Sequence, residues 1–162
     1  MNRNMTWMAA FATLATAGVI AFPSTSYAAQ PGDLSYATAA KAIEAAEKMA
    51  DAVGAKVCIA VVDSNGVLEA FKRMDDSAPG CVDSAINKAR AAALYRTPTY
   101  NFMARVNAGE PALVTLPGMV PLGGGVPAKT SAGVWAGAVG AAGSANVNEV
   151  KVASAGAAAL GQ

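Results

Sequence analysis

Ala39, Ile43, Ala46, Met49 and Val53 recur every three or four residues opposite Lys41, Glu44, Glu47 and Lys48, a spacing that predicts an amphipathic helix. Ser35 stands where an N-cap belongs, and Gly54 where the chain must turn out of the helix. The pattern then shortens to that of strands over Lys56 to Val62 and Val67 to Met74, parted by Asp63-Ser64-Asn65-Gly66. Asn-Gly in that place predicts a tight antiparallel hairpin, with both residues at positive φ.

Helical spacing resumes near Cys81 and carries Val82, Ala85, Ile86, Ala89, Ala93 and Leu94 on one face to about Arg96. Thr97-Pro98 ends it, since a residue before proline is pushed out of the α region. Thr99 is expected to cap a third, short helix running to Val106 and closed by Asn107-Ala108-Gly109. Between Pro111 and Pro127, prolines and glycines predict an irregular segment. Two further strands, Val126 to Thr130 and Val134 to Ala141, precede an Ala-rich helix from about Asn148 to Leu160. Hairpins in place of βαβ crossovers make this an α+β domain, an antiparallel sheet with helices packed on it.

Residues 1–28 read as an exported protein's leader and are set apart from the domain at 29–162. Arg3 supplies a positive start, Met5 to Phe22 is uncharged and largely apolar, and Ser26-Tyr27-Ala28 offers a small-x-small cleavage pattern. Pro23 and the small residues after it argue against a retained membrane anchor. The expected location is the periplasm or the medium.

Composition narrows the chemistry. With 12 Lys and Arg against 11 Asp and Glu, the chain has no electrostatic footprint for nucleic acid. At 54% hydrophobic and 14% charged residues it is too apolar for disorder. The absence of histidine removes His-based triads and His-containing metal sites, and no metal site is expected. Two cysteines remain. Cys58 lies in an apolar run as a buried strand residue would, and Cys81 follows Pro79-Gly80 at a helix start, where free amides would activate a thiol. Core thiols, a disulfide between them and a functional Cys81 all stay open.

Arg73, Asp75, Lys88 and Arg96 lie at strand and helix ends around the turn from Asp76 to Gly80, which could gather them at one mouth. A guanidinium and an ammonium there would hold a carboxylate, and Asp75 or Cys81 could move a proton; a solvated cluster of ion pairs is the plainer reading. Gly123-Gly124-Gly125 is followed by Val126-Pro127 and not by Gly-Lys-Ser/Thr, so it is no nucleotide loop. Such a backbone can approach a flat ligand or another subunit, and Gly137 and Gly140 allow the same or tight helix-on-sheet packing. Tyr36, Tyr95, Tyr100, Met74, Met103 and Met119 could line an apolar pocket or fill the core.

The run Ile59-Ala60-Val61-Val62-Asp63-Ser64-Asn65-Gly66 is followed by Phe71-Lys72-Arg73-Met74-Asp75 and Asn87-Lys88-Ala89-Arg90-Ala91-Ala92. Leu116-Pro117-Gly118, Gly124-Gly125-Val126-Pro127 and Gly137-Ala138-Val139-Gly140 then come in order, and together these motifs resemble the GlcG/HbpS family, to which the PduO C-terminal domain is related. The resemblance implies a profilin-like fold, a five-stranded antiparallel sheet flanked by helices, with a fifth strand near Ala112 to Thr115. It also implies a homo-oligomer and a haem or similar tetrapyrrole ligand, with haem degradation or redox protection as a further role, the ligand being met by Arg73, Asp75, Lys88, Arg96, Gly124, Gly125, Pro127 and Gly140. The acidic position that the family places after its last strand is shifted or replaced here by Asn148 and Glu149, and without histidine an axial ligand would be Tyr, Met, Cys or Lys. The other functions the resemblance admits are an enzyme or binding protein for a small carboxylic or hydroxy acid, and an assembly partner with no ligand of its own.

Overall fold

The computed structural model describes residues 34–162; the leader segment lies outside the described residues. Helices α1 (Tyr36–Ala52), α2 (Cys81–Tyr95), α3 (Thr99–Asn107) and α4 (Asn146–Leu160) surround strands β1 (Cys58–Val62), β2 (Leu68–Arg73), β3 (Gly125–Lys129) and β4 (Trp135–Ala142). The strands form one antiparallel sheet in the order β2-β1-β4-β3. There are four strands among the described residues, not five. Pro111–Thr115 winds as a short 3₁₀ helix, with proline at its start and the Thr115 hydroxyl donating to the Ala112 carbonyl at 2.8 Å. Local side-chain bonding of this kind favours a turn over a ladder.

Alternation along β1 divides the core. Ile59 and Val61 face α1 and α4, whereas Cys58, Ala60 and Val62 face α2, so the strand is buried along its whole length. The α1/α4 layer is built of ordinary aliphatic side chains, among them Val57, Val139, Val152 and Leu160. The α2 layer consists almost wholly of alanines and the two cysteines, which lets the helix lie close to the sheet. Gly140 shows how close: a Cβ there would collide with the Ala85 carbonyl and come within 2.7 Å of the Ala89 nitrogen. Gly140→Ala is therefore expected to lower the unfolding free energy by about 1–3 kcal/mol, measured in urea. An unchanged midpoint would show that α2 stands off from β4.

Three local expectations change. In the β1–β2 hairpin Gly66 takes positive φ (80°) and Asn65 does not. The Asp63 carboxylate accepts from the amides of Asn65 and Val67, each at 2.8 Å, and holds the loop without a left-handed asparagine. Pro98, not Thr99, occupies the N-cap of α3, and Thr99 is fully buried inside it. Cys58 and Cys81 are joined by a disulfide, which ties the start of α2 to β1. Among the described residues no helix is long and apolar enough to cross a membrane.

Candidate functional site

The middle of α2 carries a lysine where the sheet-facing positions are otherwise alanine and cysteine. Lys88, 3% exposed, meets Glu149 of α4, 5% exposed, with Nζ donating to Oε2 at 2.7 Å and, more weakly, to the Ala141 carbonyl at 3.4 Å. The other carboxylate oxygen accepts from the backbone amides of Gly143 (2.8 Å) and Ser144 (3.1 Å). A buried charge persists only when paired and hydrogen-bonded, and here both conditions are met. Glu149 thus binds the end of β4, the first turn of α4 and the centre of α2 to one point.

The glycine run threads beside this pair. A side chain at Gly124 would come within 3.1 Å of the Glu149 Cβ and 3.4 Å of the Lys88 Nζ, and one at Gly125 would strike the Lys88 carbonyl. The buried Thr99 hydroxyl accepts from the Gly125 amide at 2.9 Å and faces the Gly125 carbonyl at 3.4 Å. One residue earlier, a Cβ on Gly123 would come within 3.0 Å of both Asn146 and Val150.

Asn146 and Val150 belong to a groove of about 500 Å³ between α3 and α4, which is also lined by Tyr100, Val147 and Lys151. Its walls are apolar although they face solvent: Tyr100 is 51% and Val147 62% exposed. Its volume lies within the range of small-molecule sites, which are mostly apolar with a few polar groups for orientation. Tyr100 contributes a phenol, Lys151 a cation and Asn146 an amide. On the far side of α3, the exposed Arg105 holds the Glu110 carboxyl below the usual carboxylate range through their hydrogen bonds, a pair that solvent screens.

The four residues expected at one mouth are dispersed. Arg73 and the exposed Asp75 share a cleft of about 300 Å³ with Met74 and Asp76, where the Arg73 guanidinium donates to the Ser77 carbonyl at 3.0 Å. Arg96 stands past the far end of α2, with its guanidinium 5.9 Å from the Trp135 ring. The helix of 15 residues between them spans roughly 22 Å. Lys88 is buried against Glu149 and belongs to neither. The thiol reading of Cys81 gives way to the disulfide, and Gly125 and Gly140 are small because α2 packs on them. Pro127 sits in edge strand β3, where a missing N–H does least harm. Of the expected ligand residues none lines the groove; Gly124 is set against Glu149, which belongs to the same helix as the groove residues Asn146 and Val150.

Sequence reading missed Thr99 as a buried anchor and the groove residues Asn146, Val150 and Lys151. The available signal was Glu149, the one carboxylate in an otherwise Ala-rich helix that its neighbours mark as buried.

An antiparallel sheet covered on both faces by helices makes this an α+β fold. Residues 34–158 match the family model described as "Haem degrading protein HbpS-like", and the chain belongs to that family. Protein GlcG of Escherichia coli K12 is 43% identical over 94 residues, which is 58% of this chain and 70% of that protein. A double mutant of Streptomyces reticuli HbpS superposes with a TM-score of 0.73 at 35% identity, over 91% of this chain and 99% of its own. The PduOC:Heme complex superposes at 0.70 and 26% identity, covering 78% of this chain and 94% of its own.

Proposed function

We propose that the groove between α3 and α4 binds haem or a similar flat tetrapyrrole. The observation that carries this is an exposed apolar groove, walled by Tyr100, Val147 and Val150, in a chain of the HbpS-like family. The haem complex of a structural relative supports the same reading. The residues present suit such a group: valines for the ring, Lys151 and Asn146 for the propionates, and the Tyr100 phenol as a non-histidine contact to iron. Both sulfurs of cysteine are engaged with each other, so among the axial donors expected from the sequence Tyr, Met and Lys remain. Bound haem would supply a redox-active iron.

The disulfide supports export, because such bonds persist in oxidising compartments. A small organic acid at Arg73 is less well supported, because Asp75 and Asp76 share that cleft and oppose an anion.

Haemin titration of the purified protein, followed in the Soret band, tests the groove. A saturable shift at one haem per chain or fewer is expected, with affinity falling about tenfold or more in Tyr100→Ala and Val150→Asp. Arg73→Ala should leave it unchanged, since Arg73 lines a different cleft, with Met74, Asp75 and Asp76, and none of the groove. A non-saturating drift overturns haem binding. A saturable shift indifferent to both groove variants overturns the groove.

A further inference from the structure

We propose that one end of the sheet, where the β1–β2 and β3–β4 turns lie side by side, binds the surface of an anionic phospholipid bilayer. Three cations collect there. The Lys129 Nζ lies 4.3 Å from the centre of the Trp135 ring and the Arg96 guanidinium carbon 5.9 Å from it, so the end of β3 and the end of α2 meet at the start of β4. Arg90, earlier on α2, donates from Nε to the Gly66 carbonyl of the β1–β2 turn at 3.1 Å. Among the described residues none of the three forms an ion pair with a carboxylate. The carboxylate of Asp63, at the same end, is taken by the amides of Asn65 and Val67, and Glu69 is half-buried. Arg96 also caps α2 at φ 52°, a left-handed conformation for which glycine is the unstrained residue.

Apolar side chains protrude among these cations. Val67, Leu94 and Val134 are each more than half exposed, and Trp135 is half-buried. Val67 follows Gly66, where a Cβ would lie 3.5 Å from the Leu94 Cγ, and Val134 precedes Trp135. Neither the groove between α3 and α4 nor the Arg73 cleft includes any of them. Protruding aliphatic tips ringed by cations suit a broad anionic surface, with the tips entering the headgroup layer and Arg and Lys reaching its phosphates. A half-buried Trp fits the same depth, where one side of the indole is apolar and the other wet. The net charge of +1 gives no general attraction to such a surface, so orientation rests on how charge is distributed. Along α2 it is segregated: Asp75, Asp76 and Asp83 stand at or before its first turn, and Arg90 and Arg96 towards its far end. That polarity turns the cationic end to the membrane.

Vesicle sedimentation of the purified protein tests this. It should pellet with phosphatidylcholine vesicles containing about one third phosphatidylglycerol, stay in solution with phosphatidylcholine alone, and be released by about 0.5 M sodium chloride. Arg96→Gln combined with Lys129→Gln should weaken binding about tenfold or more. Lys41→Gln with Lys48→Gln, exposed on α1, makes the same change in net charge and should bind as the parent does. An apolar segment elsewhere in the chain would bind neutral vesicles equally and ignore the first pair. Tryptophan emission should shift to the blue on binding, and the shift should vanish in Trp135→Phe. Far-UV circular dichroism and the urea midpoint verify that each variant is folded. Equal binding to neutral vesicles, no loss in R96Q/K129Q, an equal loss in K41Q/K48Q, or an emission shift that survives Trp135→Phe would each overturn the proposal. Inorganic phosphate that reproduces the shift and frees the protein from vesicles at matched ionic strength would also overturn it, in favour of a small-anion site.

Discussion

Lys88→Met is expected to destabilise the protein by about 3–5 kcal/mol, because it leaves Glu149 buried and charged without its counter-ion. Two backbone amides would still donate to the carboxylate, but they also hold it in place, away from solvent. Equilibrium unfolding in urea reads the effect as a fall in midpoint at unchanged slope. Adding Glu149→Leu to Lys88→Met should recover much of the loss, since an apolar pair of similar volume removes the stranded charge. Equal loss in the single and double variants would show that the hydrogen bonds to Gly143 and Ser144 matter more than the charge pair. Haemin affinity should fall with Lys88→Met as well, because Glu149 shares the first turns of α4 with Asn146 and Val150, which form the groove.

Replacing both cysteines by alanine is expected to remove about 3–4 kcal/mol, the chain-entropy contribution of a cross-link closing a loop of this size. Cys58 and Cys81 are 23 residues apart, and the loop they close contains the whole β1–β2 hairpin and the turn into α2. Both are buried, so a thiol reductant should act only when the fold opens. Urea unfolding with and without dithiothreitol checks this: the reduced midpoint should match that of the double alanine variant. A double variant as stable as the parent would show that packing of α2 against Ala60 and Val62 suffices alone.

The elements themselves were legible because period and punctuation agree. In α1 the apolar stripe, the Ser35 cap (accepting from the Thr38 amide at 3.2 Å) and Gly54 at φ 65° are each local properties of the chain, and the helix stands where they place it. β3 and β4 likewise fall within a residue of the expected runs. The 3₁₀ turn at Pro111–Thr115 was not legible as such, because an apolar stretch of five residues has no period long enough to separate a turn from a strand.

The candidate site was legible only in fragments. Lys88 and Gly124 were visible as residues of interest, but Glu149, 61 positions further along the chain, completes the pair that gives them a role. Arg73, Asp75, Lys88 and Arg96 are near in sequence and were expected to meet; the length of α2 separates them instead. By itself the sequence determined what depends on neighbours a few residues away: helix stripes, caps, hairpin turns, the antiparallel class of the sheet and the motifs of the family. The tertiary structure alone decided which of the three cysteine states holds, that α2 lies against glycines, that Lys88 is buried with Glu149, and that an apolar groove opens between α3 and α4. Each of those is a contact between segments far apart in the chain, and pairing of that kind follows from how close one backbone can come to another, which no local pattern records.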